Sequence, residues 1–201
     1  ISPNTISICK ALQNKGYIDL FKKSEEHLSD KMSFSSVKKK IVYNREQIEV
    51  IDRIRSSLKL KKFSSNLLHG VTGSGKTEIF IESIKTVLEM GKTSIILIPE
   101  ISLTPQIAGR FRDVFGEGIA LWHSQLTKAQ RVKTWDSINT GESKIVIGAR
   151  SAIFSPIKNL GLIIVDEEHD ASYKQESPSP RYHARDVAIM RGKIENCSVV
   201  L

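Results

Sequence analysis

Past Tyr43, short continuous apolar runs alternate with stretches whose apolar positions recur every three or four residues. The spacing of Ile48, Ile51 and Ile54 or Arg55 predicts a helix over about 45–59. "NLLHG" (66–70) reads as a strand, 76–90 as a helix stopped by Gly91, "TSIILI" (93–98) as a strand and 102–115 as a helix. The pattern continues through strand "GIALW" (118–122), helix 127–138, strands "KIVIG" (144–148) and "LGLIIV" (160–165), helix 184–194 and strand "CSVVL" (197–201). Strands this apolar are covered on both faces. Their alternation with helices predicts a doubly wound parallel α/β sheet. Trp122 and Trp135, among apolar neighbours at strand and helix spacing, are expected in its core.

The first residues read differently. "SPNTISICKALQNKG" (2–16) predicts a short helix, with Ser2 as cap, Pro3 in the first turn and Gly16 as the left-handed stop. "YIDLF" (17–21) reads as a strand. One helix and one strand cannot enclose a core, so residues 1–26 are expected to complete a module that begins earlier. Residues 27–43 are rich in Ser and Lys, with "KKK" at 38–40, and read as a linker to a domain over 44–201. The lack of an initiating Met and the apolar last residues lead us to expect a piece of a longer protein.

Composition narrows the class. Of 201 residues, 40% are hydrophobic and 26% charged, the proportions of a soluble globular protein. No run is apolar enough to cross a bilayer and no secretory leader opens the chain. The two cysteines, Cys9 and Cys197, are far apart, which argues against a disulfide framework or a thiolate zinc site and suggests a reducing cytoplasm. The net charge of +8 is uneven: 14 Lys+Arg face 7 Asp+Glu up to Ser65, against 16 and 15 from Asn66 onward. A basic N-terminal third is either a solvated tail or a surface for a polyanion such as nucleic acid.

"GVTGSGKT", Gly70 to Thr77, fits G-x-x-x-x-G-K-[ST] at every fixed position, between a strand signal and a helix signal. Gly73 and Gly75 let the chain curl until the N–H groups of the Gly70, Thr72, Gly73, Ser74 and Gly75 stretch point at phosphate oxygens. Lys76 is placed to reach the β and γ phosphates of a nucleotide such as ATP, and Thr77 to put its hydroxyl on Mg²⁺. Such a loop needs a carboxylate at the C-terminal end of a neighbouring parallel strand. "LIIVDEEH" supplies one: Asp166 for the Mg²⁺ shell and Glu167 to align and deprotonate water. The plain alternative, an acidic turn solvated at a strand end, loses ground once the phosphate loop is present.

"DEEH" also reads as the D-E-x-H box of superfamily 2 helicases, in which the His, here His169, couples the nucleotide site to nucleic-acid motifs. "LLHGVTGSGKTE", "LIPEISLTPQ", "HSQL", "VIGARSAIFSP" and "DEEHDASYKQESPSPRYHARDVA" together resemble the bacterial primosomal protein N′ (PriA) family of replication-restart DNA helicases. The resemblance runs from about Tyr43 to Leu201. It implies a RecA-like first motor lobe over 44–201, preceded in 1–26 by the end of a winged-helix-like DNA-binding domain. It implies Gln47 as the reader of adenine, and Thr104, Gln106, Arg150 and Ser151 as DNA contacts made through phosphates. It also implies that Ser172–Arg185 is the aromatic-rich loop tying single-strand binding to ATP hydrolysis. There Tyr173, Tyr182 and His183 would offer flat faces, and Lys174, Arg181 and Arg185 charges; "ESPSP" reads as mobile.

Partners implied are branched and single-stranded DNA, other primosome proteins and a single-stranded-DNA-binding protein. The site would be cytoplasmic, with no membrane contact and a monomeric chain. The family's second motor lobe and zinc-binding region are expected outside this sequence, so ATP should be bound here with little turnover. Rival readings stay open. A guanine-nucleotide switch would want Asn-Lys-x-Asp, which does not occur. Another superfamily 2 repair motor, or an adaptor without enzymatic activity, is the other alternative.

Overall fold

The computed structural model of the chain describes residues 11–17, 42–71, 73–99, 102 and 105–201. It divides into two units, Ile1–Lys40 and Ile41–Leu201. In the first, residues 11–14 are helical and the chain turns at Gly16, φ +72°. Gly16 N–H donates to Gln13 O at 2.9 Å and Tyr17 N–H to Leu12 O at 3.1 Å, so a left-handed glycine ends this helix. The rest of that predicted helix, nearly all of the predicted strand "YIDLF", most of the linker, Thr72 and Thr104 lie outside the described residues.

The second unit begins with α1 (Arg45–Lys59), followed by β1 (Ser64–Asn66), α2 (Lys76–Glu89), β2 (Thr93–Leu97), α3 (Pro105–Phe115) and β3 (Ile119–Trp122). Then come α4 (Lys128–Thr140), β4 (Ile145–Gly148), β5 (Leu160–Val165), a hairpin of β6 (Lys174–Gln175) and β7 (Tyr182–His183), α5 (Ala184–Glu195) and β8 (Ser198–Val200). All but the hairpin strands form one parallel sheet in the order β1-β8-β5-β2-β4-β3. This is the doubly wound α/β fold the periodicity predicts.

Successive residues of a strand point to opposite faces, and here each face has its own core. Ile96, Ile147, Leu162 and Ile164 pack with α1 and α2 residues such as Ile54, Ile81 and Ile84. Ile95, Val146, Ile163 and Val165 pack on the other side with Tyr173, Ala184 and Ala188. Each such Ile or Val stabilises the sheet by roughly 1.5–3 kcal/mol relative to exposure. Because every strand runs the same way, all six carboxyl ends share one edge, and the loops that follow them gather there.

Four expectations need correcting. The strand expected at "NLLHG" is Ser64–Asn66 instead, and Leu67 is exposed. Its extent is set by pairing with β8, including a Ser64–Ser198 hydroxyl bond of 2.9 Å, and a polar edge strand gives no apolar run to detect. On α1 the buried stripe is Ile51, Ile54 and Leu58, whereas Ile48, in the first turn, is exposed. Trp135 is 41% exposed and Trp122 only half-buried; the two rings pack on each other at the sheet edge, centroids 5.6 Å apart. Finally, the strand before the phosphate loop is not next to the strand before the acidic box: β8 lies between β1 and β5.

Candidate functional site

The loop Gly70–Thr77 leaves β1 at the carboxyl edge and enters α2. Gly73 and Gly75 sit at φ +82° and +89°, the left-handed region that only glycine occupies without strain. A Cβ at Gly70 would come 2.7 Å from Ser74 Oγ, and one at Gly75 would displace the Gln47 amide that braces the loop. Gly75 is the N-cap of α2 and offers no side-chain bond, leaving the first N–H groups of the helix available to an anion. Gln47 braces the loop from outside. Its Oε1 accepts from Asn44 N–H at 3.0 Å in a capping box, while its Nε2 donates to Ser74 O at 3.0 Å.

Lys76 Nζ lies 3.1 Å from Gly70 O and 3.1 Å from Glu167 Oε1. The loop and the acidic box therefore meet despite the intervening strand, because β5 runs straight into a sharp turn. Glu167 adopts φ +48°, which costs a non-glycine residue energy, and the turn is held by Asp170 N–H to Glu167 O at 2.8 Å. Asp166 Oδ1 accepts Glu167 N–H at 3.0 Å. Burial, then the neighbouring Glu167 charge, raise the Asp166 pKa above the ordinary carboxylate value, partly offset by Lys76 and the Glu167 N–H. His169 Nε2 is 3.6 Å from the other Glu167 oxygen, its side chain largely exposed. A cleft lined by Gly70, Lys76, Phe80, Asp166, Glu167 and His169 results. Thr77 is half-buried in the first turn of α2.

Glu168, to which sequence reasoning gave no role, binds Arg185 Nη1 at 2.9 Å. Its place as the third acid of the box was the available signal. Among the described residues no group of three or more His, Cys, Asp or Glu could hold a metal by itself. Asp166 shares the cleft with Lys76 and offers the one carboxylate that Mg²⁺ carried in with a nucleotide asks of the protein, and Thr77 follows Lys76 in the first turn of α2.

The residues expected on DNA divide into two sets. Gln106 is exposed on α3, Arg181 is exposed in the hairpin loop, and Arg150 and Ser151 follow β4. Arg150 Nη1 donates to Ser172 O at 3.3 Å and Lys174 O at 2.8 Å, and its guanidinium lies 5.9 Å from the centre of the Tyr182 ring. Tyr182 is half-buried edge-on against Phe154, at 5.0 Å. Ser151 Oγ accepts Trp122 Nε1–H at 3.1 Å.

One expectation for this segment fails, and three further residues already have partners. Tyr173 is fully buried and donates to Asp166 O at 2.7 Å, so it presents no face to a base. His183 caps α5 by accepting Arg185 N–H, Arg185 is paired with Glu168 and Asp186, and Lys174 with Glu176. The loop is a short 3-10 turn (Ala171–Tyr173) and a hairpin, folded onto the domain by these bonds.

Comparison with known proteins identifies the chain's relatives. The chain is 44% identical to replication restart protein PriA of Chlamydia pneumoniae over 95% of its length, and 52% identical to that of Bacillus subtilis over 78%. It spans 26% and 19% of those proteins, about a quarter or less of their length. Among solved structures, RecG bound to a three-way DNA junction matches 80% of the chain, and 21% of its own length, with a TM-score of 0.61 and 25% identity. Phosphate loop, acidic box and hairpin all fall within residues 40–195, which match the family described as type III restriction enzyme, res subunit, and the chain belongs to that family.

Proposed function

We propose that the chain is the nucleotide-binding first motor lobe of an ATP-dependent DNA helicase or translocase that restarts replication at stalled forks. The observation that carries this is the 3.1 Å contact between Lys76 and Glu167, which are 91 positions apart in sequence. It brings the phosphate loop and a carboxylate suited to activating water into one cleft. Kinship with the PriA proteins supports replication restart, and likeness to RecG on a DNA junction supports branched DNA as the substrate. Other primosome proteins and a single-stranded-DNA-binding protein are partners by the same kinship.

The roles are read from the phosphate-loop and acidic-box motifs and the family resemblance, and the placement of the described residues supports them. The loop from Gly70 through Thr72, Gly73, Ser74 and Gly75 surrounds the phosphates with N–H groups, and Lys76 reaches the β and γ oxygens. Thr77 and Asp166 would hold Mg²⁺, which would supply neutralising charge to the transferring phosphate. When Lys76 turns from Glu167 to phosphate, Glu167 is free to orient water and accept its proton. His169, beside Glu167, passes that change toward the nucleic-acid face. Gln47 keeps one donor hydrogen and one acceptor lone pair after its two protein bonds, the pair an adenine edge requires. Thr104, Gln106, Arg150, Ser151, Lys174, Arg181 and Tyr182 line the DNA path.

Titration with fluorescent ATP, ADP and GTP, with Mg²⁺ and with or without a forked DNA, tests the reading. The chain should bind adenine nucleotides, Lys76→Ala should lose that binding, and turnover by this stretch alone should be slow. Preference for GTP, or a Lys76→Ala variant that binds like the parent, overturns it.

A further inference from the structure

The pair Trp122–Trp135 lies outside the nucleotide cleft and outside every residue assigned to DNA above. Trp122 is the last residue of β3, so it stands on the same sheet edge as Arg150 and Ser151, one strand spacing (~4.8 Å) from the end of β4. Its indole N–H is fixed by Ser151 Oγ at 3.1 Å. Trp135 leans on it at 52° from α4 and keeps 41% of its surface in solvent. With exposed Val132 the ring makes a small apolar patch, and here it stands next to a predicted phosphate contact.

The surrounding charge suits a polyanion. On α4, residues 128, 131, 132 and 135 fall on one face by helical spacing, so Lys128 and Arg131 share the side of Trp135. Lys128 is exposed and stands about two turns, ~10 Å, from Trp135 along the helix. Arg131 is pinned by bonds to Ser124 O at 2.9 Å and Leu126 O at 3.3 Å, which holds its charge in place. The single carboxylate of α4, Asp136, projects a hundred degrees or so away from Trp135. Val132, exposed on the Trp135 side, adds an apolar border.

We propose that Trp135, braced by Trp122, is a stacking platform for one unstacked base of single-stranded DNA, with Lys128 and Arg131 beside the adjoining phosphates. The platform rests on the DNA-binding reading above and extends its path by one strand, from the end of β4 to the end of β3. A ring stacks on any base, so this site contributes affinity without sequence preference.

Binding of a labelled oligothymidylate to the 201-residue chain, followed by anisotropy and by tryptophan emission, tests the platform. Oligothymidylate should quench the emission. Trp135→Ala should weaken binding about tenfold, the loss of one base–aromatic stack, and Trp135→Phe should recover most of it. An abasic oligomer of the same length should bind parent and Trp135→Ala alike. Unchanged thermal midpoints separate these effects from misfolding, and the Trp135→Phe comparison serves where Trp135→Ala is unstable. If the parent binds and Arg150→Ala weakens it while Trp135→Ala and the emission do not change, the platform is wrong and the DNA reading stands. If the parent does not bind, both fall.

Discussion

The hydroxyl of Tyr173 donates to the backbone carbonyl of Asp166 across 2.7 Å, from a ring with no exposed surface. The side chain thus anchors the acidic turn from beneath. Removing the hydroxyl from Tyr173 forfeits a buried bond, about 1 kcal/mol. For a chain of this size that lowers the thermal midpoint by roughly 2–4 °C. Tyr173→Phe should show this shift in a melting curve and leave single-stranded DNA affinity unchanged. A clear loss of DNA affinity in a variant as stable as the parent would return the ring to the DNA surface.

Asp166 gives a pH dependence with a definite sign. Burial and the Glu167 charge raise its pKa, so the folded chain keeps this proton at pH values where the unfolded chain has lost it. The resulting stability is complete below the unfolded value and is lost as pH rises through the folded one. Asp166→Asn cannot titrate. Its midpoint relative to the parent should therefore climb as pH increases above about 4, the ordinary carboxylate value, and then level off. Mg²⁺-dependent nucleotide binding by the parent should change in the opposite sense, strengthening over that window as the carboxylate ionises. Parallel melting curves at every pH would rule this out.

Arg150 fastens the hairpin through the carbonyls on either side of Tyr173. Arg150→Ala removes two charge-assisted bonds, and the amides of residues 172–182 should exchange with deuterium at least about tenfold faster. Exchange in β2 and β5 should not change. Equal protection of the hairpin in both proteins would show that the rest of the packing suffices.

Gln47 joins the start of α1 to the phosphate loop, and Asn44 shares only the first of those tasks. Asn44→Ala should cost about 1 kcal/mol of stability as a lost cap, with little change in nucleotide selectivity. Gln47→Ala should cost a similar amount and also narrow the preference for ATP over GTP in a competition titration. Identical selectivity in the two variants would leave Gln47 as a cap and brace alone.

The fold was legible where burial is two-sided, since every apolar strand from "TSIILI" onward lies where its run indicated. The glycines of the phosphate loop and the exit of β5 were equally plain, because backbone requirements there leave few substitutes. Legibility failed where partners are distant in sequence. Pairing with Ser198–Val200, not local hydropathy, defines β1. Tyr173 and Tyr182 look alike in a string of letters; only the carbonyl of Asp166 and the ring of Phe154 distinguish them. Trp135 misled for the opposite reason, as helical spacing cannot tell a core position from one at the end of a sheet.

The position of β8 has a bearing on biosynthesis. Among the described residues β1 pairs with β8 alone, 134 positions later in the sequence. While the chain emerges from a ribosome, β1 has no strand to pair with among the described residues until Val200 is out, although Gln47 already braces the loop that follows it. Seating the strand that precedes the phosphate loop therefore waits on a pairing of high sequence separation, a slow kind of contact to form.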